Sequence, residues 1–449
     1  MKQTTIAALS TPPGRGGLAV IRLSGPDAES ILRRVFHPLG RQQHFFDRLM
    51  MYGRAEYQGQ LLDECMAVLM RAPRSYTGED VAEIQVHGGE LVVKGILSAL
   101  FALGAQPAEP GEFTRRAFLS GRIDLSQAEA VMQLISSTGR QAADAALRQL
   151  QGGALRFAKE AQGDLISMMA GVTAALDYPD EIDEAEAVDG LAPKLLGLAQ
   201  RLEKACDERG ARILEEGLHV VICGKPNVGK SSLLNALLME DRAIVTDIPG
   251  TTRDLISGAI EIDGICVLFM DTAGIREGGE TVERIGVSRA LDAIKSADLR
   301  LMVLDASCPP AKEDWAIFNE VKGLETLLAF NKADLPVHPG WEQVDFRESH
   351  DLIYISAKNG MGLQELRTKV RGFAGNPAEN TLTLNRHLGL ARKAAASLNR
   401  AAEAMREGKP LDLCAVDLNA ALYYIGSITG DNYSEALLDE VFSAFCVGK

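Results

Sequence analysis

Leu218-His219-Val220-Val221-Ile222-Cys223-Gly224-Lys225-Pro226-Asn227-Val228-Gly229-Lys230-Ser231 is the stretch on which the fold turns. Val220 to Cys223 is an apolar run of strand length. It enters Gly224 to Ser231, which fits G-x-x-x-x-G-K-[ST], and Ser232-Leu233-Leu234-Asn235-Ala236-Leu237 continues with helical character. Strand, glycine turn and helix in that order make a phosphate cradle. Glycines let backbone N–H groups converge on phosphate oxygens, the helix N-terminus adds positive potential, and Lys230 supplies a mobile cation. The phosphate-binding candidates are Asn227, Val228, Gly229, Lys230, Ser231 and Ser232, with Ser231 placed to hold Mg²⁺.

Four later segments follow in the order a guanine-nucleotide site needs. The polar loop Ile244 to Asp254 contains Thr246, Asp247, Ile248, Pro249, Gly250, Thr251 and Thr252, with threonines available to a metal shell. Val267 to Met270 reads as a buried strand that delivers Asp271, Thr272, Ala273 and Gly274. An Asp at a strand end before a glycine turn suits a metal-linked γ-phosphate sensor. Leu301 to Asp305 and Thr326 to Phe330 are two more strands, and the second leads into Asn331, Lys332, Ala333 and Asp334. The Asp of N-K-x-D can accept both N–H donors on the guanine edge, which adenine cannot match. Ile353 to Ile355 then leads to Ser356, Ala357 and Lys358, a loop under the base. The ligand read from these residues is GTP.

Two positions bear on hydrolysis. Ile275 stands where a water-orienting Gln would be expected, so the attacking water needs another device. Asn227 is a neutral oxygen ligand beside the phosphates. It either binds a monovalent cation that neutralises developing charge or merely caps the loop.

The chain of 449 residues is long enough for about three domains, and it is 46% hydrophobic and 24% charged. No apolar run approaching the span of a bilayer is expected, and Met1 to Thr5 lacks the apolar stretch of a signal peptide. Seven cysteines without a C-x-x-C pair argue for reduced thiols in a cytoplasmic setting and against structural zinc. The formal charge of −14 counts modestly against a nucleic-acid partner.

Residues 1–118 read as a mixed α/β unit, with strands at Ile6 to Leu9, Leu18 to Leu23 and Glu64 to Met70, and helices over Ala28 to Phe36 and Leu91 to Ala102. Thr11 to Gly17 reads as a shaped connector. Ser75 to Glu83, Gln85 to Glu90 and Pro110 to Phe118 mix charges, hydroxyls and glycines as a small-molecule pocket would, and His87 reads as a structural residue. From 119 the chain turns helical, with Asp124 or Ser126 as a cap and an acidic break over Asp177 to Glu186. Helical composition returns after 373 at Arg386 to Gly408, Leu411 to Gly426 and Tyr433 to Phe445. The simplest architecture is one discontinuous helical domain (119–215 and 374–449) with the nucleotide domain (216–373) inserted into it.

Thr11 to Gly17, Thr77 to Asp80, Gln85 to Gly89, Pro110 to Thr114 and the terminal Phe445-Cys446-Val447-Gly448-Lys449, together with the nucleotide motifs, carry a resemblance over nearly the whole chain. The chain resembles the tRNA-modification GTPase MnmE (TrmE) family. The resemblance implies a multidomain protein, α/β plus all-α. A P-loop, Ras-like G domain is inserted into a discontinuous helical domain, preceded by an α+β folate-binding and dimerising N-terminal domain. It implies a homodimer working with an FAD-containing partner, MnmG, in a heterotetramer or larger complex. Together they add a carboxymethylaminomethyl or aminomethyl group at C5 of the wobble uridine (position 34) of certain tRNAs, without a membrane. The implied cofactors are GTP, Mg²⁺, K⁺ and 5-formyltetrahydrofolate or another tetrahydrofolate derivative. Potassium-dependent G-domain dimerisation is implied to activate hydrolysis.

Residue by residue, the resemblance assigns K⁺ to Asn227, Thr246, Ile248 and Thr251, and Mg²⁺ to Ser231 and Thr252. Glu283 matches the glutamate that positions the attacking water. Folate falls to Arg22, Glu83, Arg122 and Lys449; Arg122 replaces a lysine of some relatives, keeping charge but changing geometry. Cys446 matches a functional C-terminal cysteine, against the plainer reading of a buried helical thiol. The competing class is an Era-like regulatory GTPase of ribosome assembly. Such proteins usually add an RNA-binding module, and no G-x-x-G-containing βαα pattern is evident here. A third reading is a folate enzyme merely regulated by GTP.

Overall fold

Alternation of apolar and polar residues builds the N-terminal sheet. Strands β1 (Ile6–Leu9), β2 (Gly16–Ser24), β3 (Phe36–Pro38), β4 (Met51–Tyr57), β5 (Gln60–Met70), β6 (Val81–Gly88) and β7 (Gln106–Pro107) lie in the order β3-β4-β5-β6-β2-β1-β7. Neighbours are antiparallel except β1 and β7. In β4, Met51, Gly53 and Ala55 point inward while Tyr52 and Arg54 are exposed, as expected when one face is covered. Helices Ala28–Val35 and Glu90–Ala102 cover that face, burying Ile31, Leu32, Ile96 and Leu100 against Ile21, Leu69 and Ile84. The computed structural model describes residues 4–40, 44–178, 180–181, 189–240, 256–271, 291–344, 351–377 and 380–449.

Two expectations need correction here. The first helix ends at Val35, because Phe36 adopts extended backbone and opens β3. Gln85 to Gly88 is not a pocket loop but the end of β6, a central strand. Its buried Ala82, Ile84 and Val86 alternate with polar Glu83, Gln85 and His87, the period-two signature of a strand with one covered face. His87 is exposed and its Nδ1 lies 2.8 Å from Asp63 Oδ1, so its ring is partnered, in keeping with a structural residue.

The chain forms two units, Met1–Met132 with Gln149–Ile166 and Leu422–Lys449, and Gln133–Arg148 with Ser167–Ala421. In the first, helix Leu125–Ser136 starts at Asp124, whose Oδ1 accepts from Gln127 N at 3.1 Å while Gln127 Oε1 accepts from Asp124 N at 3.0 Å. This reciprocal cap settles the choice between Asp124 and Ser126. Leu125 and Ala128 pack with Leu438 and Phe442 of helix Glu435–Ser443 and with Phe445. Beyond Phe445 the chain extends against the N-terminal elements. Ser10 Oγ donates to Gly448 O at 3.1 Å, Gly111 N to Cys446 O at 3.4 Å and Phe113 N to Lys449 O at 3.1 Å. Gly448 has φ +95°, and a Cβ there would collide with Leu9 O, so only glycine fits this turn.

In the second unit, β8 (Leu218–Cys223), β9 (Ile256–Ile262), β10 (Ile265–Asp271), β11 (Leu299–Asp305), β12 (Thr326–Asn331) and β13 (Asp351–Tyr354) form a sheet in the order β13-β12-β11-β8-β10-β9. Only β9 runs antiparallel. Both faces are covered: Val220 and Ile222 enter one core, Val221 and Cys223 the other. That double burial explains why these strands read as continuous apolar runs. Burial also pushes the Cys223 thiol up to about 12.

Helices from either side of the nucleotide sheet in sequence, Leu191–Lys204 and Asn385–Arg406, pack along each other. Leu195, Leu198 and Leu202 are buried on one, Ala391, Ala394, Ala395 and Leu398 on the other. The small alanines allow a close approach, as the composition of the two flanks implied. Gln141, on helix Arg140–Leu150, reaches the β9–β10 turn, donating N–H to Gly264 O at 2.8 Å and Nε2 to Asp263 O at 2.9 Å.

Against expectation, one helix among the described residues, Leu411–Thr429, is long and apolar enough to cross a membrane. Its Cys414, Leu418, Ala421, Ile425 and Ile428 are fully buried at helical spacing. That stripe is what a core helix needs. All seven cysteines are free.

Candidate functional site

The strand order reverses at β8, whose neighbours β10 and β11 are reached by the chain in opposite directions. Crevices outside the carboxyl ends of strands at such a point are where α/β sheets bind ligands. The motifs lie at those ends. Helix Lys230–Glu240 starts within the glycine-rich turn. Gly229 has φ +97°, and a Cβ there would strike the Asn331 amide, so the turn and the base-reading loop touch.

Hydrogen bonds join these segments. Asn331 Nδ2 donates to Val228 O at 2.8 Å, and Asn331 Oδ1 accepts from Ala357 N at 3.0 Å. Lys332 Nζ donates to Asn227 O at 3.0 Å and to Asp305 Oδ2 at 2.6 Å. Ser356 Oγ donates to Asp334 Oδ1 at 2.7 Å, leaving the Asp334 side chain exposed above the loop. That hydroxyl lowers the Asp334 carboxyl below its usual value, so it stays an acceptor. Lys230 Nζ donates to the carbonyls of Gly224 and Lys225, both at 2.9 Å. Ser231 Oγ lies 3.3 Å from Asp271 Oδ2. A hydroxyl and a carboxylate oxygen side by side are the hard donors that suit Mg²⁺.

Asn227 holds a left-handed φ of 62°. Its side chain is exposed, and its backbone carbonyl accepts from Lys332 Nζ. Ser232 is exposed on the helix's first turn, and Lys358 is exposed beside Ala357. Thr246, Asp247, Ile248, Pro249, Gly250, Thr251, Thr252, Thr272, Ala273, Gly274, Ile275 and Glu283 lie outside the described residues, as does most of the acidic stretch after Asp177.

Asp305 belongs to no nucleotide motif, and only its contacts mark it as a site residue. Burial alone would raise its carboxyl, but Lys332 and Ser307 outweigh burial and hold it below its ordinary value.

A second cluster forms in the first unit. The β2–β6 register sets Arg22 opposite Glu83, and their side chains pair at 2.7 Å. Arg22 lies 5.1 Å from the Tyr76 ring centre and 5.8 Å from that of Phe113. Arg122 lies 5.1 Å from the same Tyr76 ring and donates to Tyr76 O at 2.5 Å. Phe113, in the first turn of helix Glu112–Leu119, donates its N–H to Lys449 O. Arg22 and Arg122 therefore share the Tyr76 ring, with Glu83 paired to Arg22 and the Lys449 carbonyl bonded to Phe113. Tyr76 and Phe113 lay unremarked inside the mixed stretches.

Those stretches also interlock. Ser24 Oγ donates to Glu79 Oε2 at 2.7 Å, and Arg116 bonds both Glu79 at 3.0 Å and Glu112 at 2.8 Å. Cys446 is exposed beyond the end of its helix, not a buried helical thiol.

Residues 125–446 match the family model described as the MnmE helical domain, and residues 5–122 match that described as the GTP-binding protein TrmE N-terminus. The tRNA modification GTPase MnmE of Thermotoga maritima is 42% identical over 99% of this chain and 100% of its own. That of Natranaerobius thermophilus is 41% identical over 100% of both, and that of Clostridioides difficile 41% over 99% of each. Among solved structures, an Aquifex aeolicus Era variant bound to GDP and AlF4⁻ aligns with 40% of this chain and 66% of its own at 28% identity, with a TM-score of 0.29. So low a score adds nothing to the strand order itself. Full-length likeness and both domain models agree: the chain belongs to the tRNA modification GTPase MnmE family.

Proposed function

We propose that this chain binds and hydrolyses GTP and acts in tRNA modification. The observation that carries the nucleotide reading is the bonding of Asn331 to Val228 and Ala357 together with Lys332 to Asn227, which ties base-reading loop, phosphate loop and Ser356–Lys358 into one frame. In that frame the Asp334 carboxylate accepts the two N–H donors of guanine. Backbone N–H groups of Asn227 to Ser232 and the Lys230 ammonium take the phosphates. Ser231 and Thr252 would hold Mg²⁺, which neutralises phosphate charge. Asn227, Thr246, Ile248 and Thr251 would hold K⁺, which does the work of an arginine finger; the exposed Asn227 side chain supports this. Thr246 to Gly250 and Asp271 to Gly274 respond to the γ-phosphate. Glu283 orients the attacking water, since Ile275 cannot.

The Arg22, Glu83, Arg122 and Lys449 cluster binds a tetrahydrofolate derivative, such as 5-formyltetrahydrofolate, with Tyr76 and Phe113 offering ring faces. The one-carbon unit serves wobble-uridine modification at C5, carried out with the FAD-containing MnmG by a homodimer whose G domains meet in potassium. Cys446, exposed near the folate cluster's tail, is the candidate acid–base or nucleophilic group. Domains at 1–118, 119–215, 216–373 and 374–449 divide these tasks.

Nucleoside analysis of tRNA from cells lacking the chain tests the whole reading. Unmodified wobble uridines are expected, and an unchanged nucleoside profile would sink it. Hydrolysis rates in potassium, rubidium and sodium salts test the cation assignment separately; equal rates would remove it.

A further inference from the structure

Lys225, inside the phosphate loop, is held by a carboxylate that belongs to no nucleotide motif. Lys225 Nζ donates to Asp314 Oδ2 at 2.7 Å. Asp314 is the third residue of helix Lys312–Val321 and is fully buried. The same Oδ2 accepts from Ala311 N at 2.9 Å, closing the helix N-terminus. Asp314 Oδ1 is also buried and meets no donor among the described residues. The Lys225 side chain is itself 18% exposed. An apolar pair of similar volume would pack in such a place at no loss of stability, so stability alone gives little reason for charge here.

The other end of Lys225 supplies a reason. Its carbonyl accepts from Lys230 Nζ at 2.9 Å, alongside the Gly224 carbonyl at the same distance. Lys230 is the cation of the phosphate cradle and is largely buried within it. Fixing the Lys225 side chain therefore fixes the backbone oxygen that aims the Lys230 ammonium.

We propose that Asp314 is a positioning residue for phosphate binding, acting through Lys225 on Lys230. This rests on residues 224–231 holding the phosphates of GTP. Asp314 touches neither nucleotide nor reacting atoms. It braces the loop from the helix that follows β11, so loop geometry does not depend on its own glycines alone.

The test uses the full chain and four proteins: wild type, Asp314→Asn, the double variant K225M/D314L, and Lys225→Arg. GTP affinity is read by titration, KM and kcat by steady-state hydrolysis, and stability by thermal melting. Asp314→Asn is expected to raise KM for GTP about 10- to 100-fold, the scale of misplacing a binding group by roughly 1 Å, with kcat little changed. K225M/D314L is expected to recover the melting midpoint while KM stays raised. Lys225→Arg is expected to keep wild-type KM, because its planar fork can also reach Oδ1. Recovery of KM together with the midpoint in the double variant would make the pair purely structural and overturn the proposal. So would a wild-type KM in Asp314→Asn. Wild type that fails to bind GTP at all would overturn the phosphate-loop reading, and this one with it.

Discussion

Asp305→Asn probes the joint between base recognition and the phosphate loop. Asp305 ends β11 and is 5% exposed; Oδ2 receives Lys332 Nζ at 2.6 Å, while Oδ1 receives Ser307 N at 3.0 Å and Ser307 Oγ at 2.6 Å. Asparagine keeps the shape but withdraws the charge that Lys332 faces. Removing one member of a buried pair costs about 3–5 kcal/mol, and a hydrogen bond to a charged group contributes about 1.5–3 kcal/mol. The Lys332 side chain is 36% exposed, so water relieves part of the loss, and the lower range applies. We expect a stability loss of about 2 kcal/mol at pH 7, or a melting midpoint about 4–8 °C lower for a unit of this size.

The pH dependence has a definite sign. The folded Asp305 carboxyl titrates below its unfolded value. Its contribution is therefore complete above the ordinary carboxylate range near 3.9 and fades as pH falls through that range toward the folded value. The gap between wild type and Asp305→Asn should be widest near neutrality and close in acid. Thermal melts of the full chain from pH 7 down to about 3.5 would read it. A gap that stays constant or widens on acidification would refute the assignment of the effect to this carboxylate. Because Lys332 also bonds Asn227 O, GTP affinity should fall together with stability.

Other perturbations reach other parts of the molecule. Gly229→Ala forces a side chain into a left-handed turn and against the Asn331 amide, which should weaken GTP binding by about 2–3 kcal/mol; unchanged affinity in a titration would contradict the contact. Arg22→Met leaves Glu83 unpaired on the sheet and should lower affinity for 5-formyltetrahydrofolate at least about tenfold, worth ~1.4 kcal/mol, as calorimetry can measure; wild-type binding would remove Arg22 from the ligand set. Gly448→Ala should lift the tail from Leu9 and loosen the Ser10–Gly448 and Phe113–Lys449 hydrogen bonds, together about 1–3 kcal/mol. Faster hydrogen exchange at the Phe113 amide would report it, and unaltered protection would show the tail does not depend on that turn.

The nucleotide sheet was legible because its signals are local. Buried parallel strands write themselves as apolar runs, and the phosphate, N-K-x-D and S-A-K loops each follow such a strand, so the parallel strands were legible while antiparallel β9 was not. What joins the loops was not legible. Asp305 and Asp314 are single carboxylates whose importance comes from being brought within bonding distance of Lys332 and Lys225 by the fold. β6 carries the alternation of a half-covered strand at Ala82 to His87, but the charges and glycines on either side of it read equally well as a polar connection. The Arg22–Glu83 pair depends on register between strands 61 residues apart, which no local pattern encodes. The tail after Phe445 is too short for any periodicity, and its place shows only through its partners at residues 10 and 110–113.

That tail has a consequence for how the protein is made. The first unit draws on residues up to 132, on 149–166 and then on 422–449, so the ribosome delivers its final strip only after the entire nucleotide-binding sheet. At ~5–20 residues per second the wait is on the order of tens of seconds. Until then Ser10 Oγ and the Gly111 and Phe113 amides lack their acceptors, and the ring cluster around Arg22 is open along one side. The nucleotide unit, whose strands arrive together, can close first. The first unit begins synthesis before the nucleotide sheet and needs residues made after it, so a ribosome stalled just beyond residue 421 would hold a formed nucleotide sheet while the Arg22 ring cluster still lacked its tail.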